Sequence, residues 1–381
     1  QGWNPAQIIH PDLLPIWSET EGVVVFHEQV ISIISVMTGI SLAAADEKRR
    51  ALGDKAGQQE VCDWFFPAAT ERGYELKVIT EIWDVLRAFA SFGFCKAHAA
   101  AFALPTYQSA WLKTHHPAAF MAGVLTHDPG MYPKRLMLDE VRQMGVGIAP
   151  LDINKSSAHY RVERTLDGDA VRIALSCVAG ISEKEIASIV QGQPYIDLAD
   201  FYRRSGAATP VIENLIMTGA FDSIHTNQRD LLLHLTDLQK SPVAHLPGSQ
   251  LTFGFAPPAL ESSGLQPLNA AEKVSSEVAR LGMDVTQHML TFYAPFLNAI
   301  GAVKSSDLLS LRSDSTVLVA GVKVALQTPP VRSGRRVIFV TLDDGYGCSD
   351  STFFPDAQVD YASTLYSTSL LLVRGQTRRT G

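Results

Sequence analysis

Long apolar runs are missing from this 381-residue chain. Stretches such as Val23–Phe26 and Ala99–Pro105 fall far short of the roughly 20 residues a membrane span needs, so no span is expected. Cysteine is scarce. Cys62, Cys95, Cys177 and Cys348 lie far apart with no C-x-x-C spacing, which argues against a disulfide framework or a zinc ribbon and favours a reducing cytoplasm. The net charge of −7 excludes a uniformly basic nucleic-acid coat, but leaves room for local basic sites, because a phosphate responds to the field nearby. The opening "QGWNPAQIIHPDLLPIW" has no basic stretch ahead of an apolar one, so no secretory signal is expected. It reads as a loop without an initiator Met, and the end follows an apolar strand-like run; a piece of a longer chain is expected. No Walker-type loop and no Ser/His/Asp arrangement can be read, and Cys95 and His98 lack a third orienting group. Nor is there a paired acidic motif in a strand-like context suited to two Mg²⁺ ions.

What is present describes a soluble globular protein. Hydrophobic residues make up 46%, too many for disorder, and the length implies two to four domains. Residues 1–150 carry helical periodicity in "HEQVISIISVMTGISLAAADEKRRALG", "GQQEVCDWFFPAATERG" and "KVITEIWDVLRAFASFG", with glycines closing the helices. "VGIAPLDINKSSAHYRVERTLDGDAVRIAL" turns strand-like, and its "LDGDA" predicts a hairpin turn, with Asp167 and Asp169 read as solvated turn residues rather than metal ligands. Residues 171–235 return to helices. Residues 240–275, rich in Pro, Gly, Ser and Ala, read as a linker, and a helix over "AEKVSSEVARLGMDV" follows. From about Ser315, short strands separated by Gly/Asp turns predict a small antiparallel barrel.

Four constellations carry potential chemistry. In "AAADEKRRALGDK", Lys48, Arg49, Arg50 and Lys55 crowd one to two helical turns; they fit phosphate recognition, or a solvated face balanced by Asp46, Glu47 and Asp54. In "FGFCKAHAAAFALPTYQSAWLKTHHPAAF", Lys96 and His98 would diverge by about 200° within a helix. They act together only at its start, where free N–H groups and the dipole favour anions. The alanines behind them allow close approach, and Pro105 predicts a kink; an ordinary kinked core helix is the alternative. "SCVAGISEKEIASIV" has the helix–hairpin–helix layout, with Gly180 letting backbone approach a phosphate, Ser182 capping the next helix and Lys184 adding charge. Gly219 in "LIMTGAFDSI" marks a second, degenerate hairpin or a simple helix cap. In "GSQLTFGF", Gln250, Leu251 and Phe253 have the polar-plus-two-anchors pattern of sliding-clamp peptides, or form an ordinary loop.

Taken in order, "GVVVFHEQVISIISVMTG", "ADEKRRALG", "FGFCKAHAAAFALPTYQSAWLKTHHPAAFMAGVLTHD", "MGVGIAPLDIN", "VAGISEKEI", "LIMTGAFD" and "RRVIFVTLDDG" resemble the alpha subunit of the bacterial C-family DNA polymerases across essentially the whole chain. "AAAFALPTYQSAWLKTHHPAAF" and "GMYPKR" look like the error-prone, damage-tolerant branch. The resemblance implies an α+β multidomain fold: helical fingers over 1–155, a tandem helix–hairpin–helix region over 156–235, a clamp-associated or linker region over 236–310, and an OB-type β-barrel over 311–381. It implies that Arg49, Arg50 and Lys96 hold the triphosphate of an incoming dNTP and that His98 lies beside its sugar as a steric gate. Ala97 stands where the family often has Ser, losing any hydrogen bond from it. Gly180, Ser182, Lys184 and Gly219 become DNA contacts, and Gln250, Leu251 and Phe253 an off-pattern clamp peptide. Catalytic aspartates and the Mg²⁺ ions they bind are expected in a palm domain upstream of Gln1. The implied partners are primer–template DNA, dNTP, a sliding clamp reached directly or through an accessory protein, and Y-family-like and RecA-like accessory proteins. The implied role is damage-induced translesion synthesis in the cytoplasm. A non-catalytic DNA-binding or scaffolding module of a repair or replication complex is the competing expectation.

Overall fold

In the computed structural model, which describes residues 8–89, 93–130, 132–241, 258–329 and 336–378, the chain divides into two units, 1–111 and 112–381. The first is helical: α1 (Leu14–Trp17), α2 (His27–Thr38), α3 (Leu42–Ala51), α4 (Lys55–Glu71), α5 (Leu76–Phe89) and the start of α6 (Lys96–His115). In α2, Val30, Ile33, Ile34 and Met37 recur at i, i+3, i+4 and i+7 and are all buried; Ile79, Ile82, Trp83 and Leu86 repeat that spacing in α5. Gly39 closes α2 in a left-handed conformation at φ 75°, as its position in the sequence predicts. Side-chain caps start the next two helices, Ser41 accepting from Ala44 N–H and Asp54 from Gly57 N–H. Phe65 of α4 and Trp83 of α5 meet in the core at 6.0 Å between ring centroids.

Helix α6 holds Pro105 in its interior. It runs unbroken through Pro105, and none of its side chains is buried. Ser109 Oγ donates to the Pro105 carbonyl and Thr106 Oγ1 to the Phe102 carbonyl, both at 2.7 Å. The reading of this stretch as a core helix is therefore set aside.

The second unit continues with α7 (Pro117–His127) and α8 (Lys134–Gln143), then β1 (Gly147–Ala149), β2 (Arg161–Thr165) and β3 (Gly168–Arg172). These strands form a sheet of order β1-β3-β2, with the predicted hairpin turn between β2 and β3 held at Gly168, φ 123°. Asp169 pairs with Arg164 at 3.0 Å, as expected of a solvated turn. Helices α9 (Glu183–Gly192), α10 (Leu198–Ser205), α11 (Thr209–Met217), α12 (Gln228–Lys240) and α13 (Ala270–Leu281) follow. One apolar core runs from Ala118 to Val285, with Phe201 and Phe221 stacked edge to face at 5.1 Å near its centre.

After the short α14 (Ala294–Ala299) come β4 (Thr316–Gln327), β5 (Ile338–Asp343), β6 (Cys348–Phe353), α15 (Pro355–Ser367) and β7 (Leu370–Gln376). All pairs are antiparallel, in the order β6-β5-β4-β7, with a register shift between Lys323 and Ala325 on the long β4. This curled four-stranded sheet is the OB-like element expected at the end of the chain. Among the described residues no single helix is long and apolar enough to cross a membrane.

Candidate functional site

In the first unit, two sequence-distant segments meet at the start of α6. Phe26 and Phe94 form a parallel bridge, in which His27 N–H donates to the Phe94 carbonyl at 2.9 Å and Phe94 N–H to the Val25 carbonyl at 3.3 Å. Gly93 is required at this crossing, because a Cβ there would lie 2.2 Å from His27 Nδ1. His27 Nδ1 in turn lies 3.2 Å from Arg49 Nη1. On the other side, the His98 ring packs between Phe94 and Phe102, with centroids 5.5 and 4.5 Å away. Arg49 and His98, read separately in the sequence, are thereby linked through His27 and Phe94.

Lys48, Arg49, Arg50 and Lys96 each pair with a carboxylate. Asp46 accepts from Arg49 Nε at 2.8 Å and pairs with Arg50 Nη2 at 2.7 Å. The Arg49 hydrogen bond is the main reason its carboxyl sits below the usual range. Arg49 is largely covered, whereas the Arg50 side chain is 73% exposed, so the two arginines are not equivalent. Lys96 Nζ pairs with Glu19, and Lys48 pairs with Glu60 while lying over the Trp64 ring.

The anion site predicted at the α6 N-terminus also has an occupant. Glu28, on the first turn of α2, accepts from Lys96 N–H at 2.9 and 3.0 Å and from Ala97 N–H at 3.5 Å. Burial pushes the Glu28 carboxyl up, but these N–H groups outweigh it and hold it below its ordinary value. Sequence reading missed Glu28, Glu19, His27 and Phe94. The clue was "FHEQ", an aromatic, a histidine and an acid opening a helix.

The second unit contains the hairpin. Gly180 adopts φ 79°, lies exposed, and faces open space where a Cβ would stand. Ser182 caps α9 in a reciprocal box with Glu185, whose carboxylate also accepts Ala208 N–H at 2.8 Å. The Ala208 bond leads in holding Glu185 ionised. Glu183 and Glu185 therefore flank Lys184 in the first turn, and their charge opposes any phosphate drawn there. Gly219 follows α11 at φ 77°; a Cβ would meet Asp222 Oδ2 at 2.8 Å, and Asp222 is itself paired with Lys273 at 2.6 Å. Gln250, Leu251 and Phe253 lie outside the described residues.

A helical hairpin followed by an OB-like sheet defines a class of nucleic-acid-binding proteins. Residues 145–231 match the helix-hairpin-helix motif profile, and residues 1–73 match that of the bacterial DNA polymerase III alpha subunit finger domain. The chain is 32% identical to an error-prone DNA polymerase of Symbiobacterium thermophilum, over 96% of this chain and 38% of that protein. It is 30% identical to an error-prone DNA polymerase of Bdellovibrio bacteriovorus, over 99% of this chain and 38% of the relative. It is 32% identical to the DNA polymerase III subunit alpha of Vibrio cholerae, over 96% of this chain and 33% of the relative. The chain belongs to the family of the bacterial DNA polymerase III alpha subunits, and spans between a third and two fifths of these relatives' length.

Proposed function

We propose that this chain is the nucleotide- and DNA-contacting portion of an error-prone DNA polymerase that adds a dNTP to a primer 3′-hydroxyl during translesion synthesis. The observation that supports it most is the chain of contacts from Arg49 through His27 and Phe94 to His98, two residues after Lys96 on the same helix. In this reading Arg49, Arg50 and Lys96 take the triphosphate, bidentately where guanidinium allows, and exchange their carboxylate partners for it. The His98 ring, braced between two phenylalanines, stands against the sugar and disfavours a 2′-hydroxyl.

Two Mg²⁺ ions would activate the 3′-hydroxyl and stabilise the leaving pyrophosphate when bound. The carboxylates at this surface, Glu19, Glu28 and Asp46, are engaged by Lys96, backbone N–H groups and the two arginines. That donor set does not fit the ions, which in this proposal belong to a palm segment with its own aspartates. The hairpin at Gly180 and the degenerate one at Gly219 hold primer–template DNA by its backbone. A sliding clamp, reached directly or through an accessory protein, and Y-family-like and RecA-like proteins complete the proposed partners, in the cytoplasm.

The full-length polymerase provides the test. Lys96→Ala and Arg49→Ala should each raise KM for dNTP by about tenfold, the loss of one charge-assisted contact of roughly 1.4 kcal/mol. His98→Ala should raise ribonucleotide incorporation; unchanged sugar selection would reject the gate. A non-catalytic DNA-binding module is favoured by one fact, that Arg49, Arg50 and Lys96, the three predicted triphosphate ligands, each already hold a carboxylate. It predicts that none of these substitutions alters dNTP use while DNA binding persists.

A further inference from the structure

Asp139 on α8, His288 in the segment after α13, and Asp343 at the end of β5 come together inside the second unit, all buried. His288 Nε2 lies 3.4 Å from Asp343 Oδ2 and 3.7 Å from Asp139 Oδ2. Those two carboxylate oxygens are buried without a hydrogen bond. The three candidate ligand atoms fall within 4.8 Å of one another, the make-up of a divalent-metal set. The imidazole argues against a metal. Its Nδ1 accepts Leu290 N–H at 3.2 Å, capping the turn Met289–Tyr293, so the neutral ring carries its hydrogen on Nε2, the atom a metal would need. The Arg135 guanidinium, 3.3 Å from Nε2, places a positive charge where the ion would sit.

Charge balance leads elsewhere. Three buried carboxylates, Asp139, Asp284 and Asp343, face two guanidiniums. Arg135 pairs with Asp284 at 3.1 Å; Arg142 bonds Asp139 Oδ1 and the carbonyls of Asp284 and Val285, at 2.6 and 2.9 Å. Asp343 Oδ1 accepts Gly345 N–H at 3.0 Å. One negative charge is left over in burial, where an uncompensated charge is costly, and one proton removes it. Other titratable groups nearby do not supply that proton. Asp344 accepts both hydrogen-bond donors of Ser305 at 2.7 and 2.6 Å, and burial with the surrounding aspartates pushes the Cys348 thiol up to about 11.

We propose that Asp139 and Asp343 share a single proton through their facing Oδ2 atoms, and that this proton latches β5 of the C-terminal sheet to α8. Burial first, then the facing Asp343, pushes the Asp139 carboxyl up to about 7. Burial also raises Asp343, but the nearness of His288 and Asp139 holds it down to about 2. The signs define a window. The raised group contributes stability that is complete below its unfolded value near 4 and is lost as pH rises through about 7. The depressed group contributes stability present above about 4 and lost as pH falls toward 2. The latch is therefore closed between about pH 4 and 7 and released above. A cavity of about 400 Å³, lined in part by Arg142, His288, Lys304 and Tyr346, lies on the His288 side of the pair.

Melting temperatures of the chain from pH 5 to 8, for wild type, Asp139→Asn and Asp343→Asn, test the latch. Wild-type stability should fall with pH by a slope of about one proton more than Asp139→Asn, which should melt higher than wild type at pH 8. Asp139→Asn lowering the melting temperature equally at every pH would overturn the proposal in favour of a merely structural contact. Should both variants fail to fold, infrared difference spectra of wild type should show one protonated carboxyl C=O band disappearing near pH 7. Absence of that band at pH 5.5 overturns it. So does added Zn²⁺ that raises the wild-type melting temperature at pH 8, since the trio would then be a metal site.

Discussion

Glu28 separates the two duties of the α6 N-terminus, because it caps the helix and occupies the position an incoming anion would need. Glu28→Gln weakens the cap, so stability should drop by about 1 kcal/mol by denaturant titration. In the proposed function, the same change should tighten binding of a triphosphate, read by direct titration. The depressed Glu28 carboxyl also sets a sign: its cap stabilises above the ordinary carboxylate pKa and is lost as pH falls through the lowered one. This residue scale was only half legible. Lys96, His98 and the arginines stand out because charge ahead of an alanine run, or packed into one helical turn, contradicts ordinary packing. Their counter-charges did not stand out, because Glu19 and Glu28 lie far back in the chain and a lone glutamate at a helix start is commonplace.

Helices α2 and α6 show how differently two elements of one unit are held. Helix α2 is anchored by Gln29, which is buried, accepts from Val25 and Phe26 N–H at 2.8 and 3.0 Å, and donates to the Ile16 carbonyl and Thr20 Oγ1. Gln29→Ala strands these partners and should cost roughly 3 kcal/mol, measured by chemical denaturation. Helix α6 buries none of its side chains, and outside contacts reach it through the Glu28 cap and ion pairs such as Lys96–Glu19 and Lys113–Glu140. Pro105 denies the Ala101 carbonyl its usual amide donor, so Pro105→Ala should raise stability by roughly 1–3 kcal/mol. At this scale the sequence was most readable: periodic Val30, Ile33, Ile34 and Met37, capping Ser41 and Asp54, and closing Gly39 place the helices by local rules. The burial of Gln29 was not readable, since a polar residue on an apolar face makes sense only once its four partners are assembled.

Across the whole molecule, the net charge of −7 means that, in the proposed function, DNA is held by local cations against a repulsive background. DNA affinity should therefore fall steeply with salt and be indifferent to sequence, and Lys184→Ala should reduce the slope of log affinity against log salt by about one. A flat salt response would remove the hairpin from the DNA-binding surface. The order of motifs along the chain was visible without coordinates. The meeting of Asp139, His288 and Asp343 was not, because nothing local in "LDEVRQ", "TQHML" or "TLDDG" signals that helix, loop and strand converge. One further consequence follows from the sheet order. β4 is the shared neighbour of β5 and β7, yet β7 arrives only after β6 and α15 have been made. Until then one whole flank of the longest strand is unpaired, its Val317, Val319 and Leu318 ready to template a foreign strand. Closure of that flank is a long-range step, slow by its loop length, so the sheet should finish folding late and be the first place where a hurried refolding aggregates.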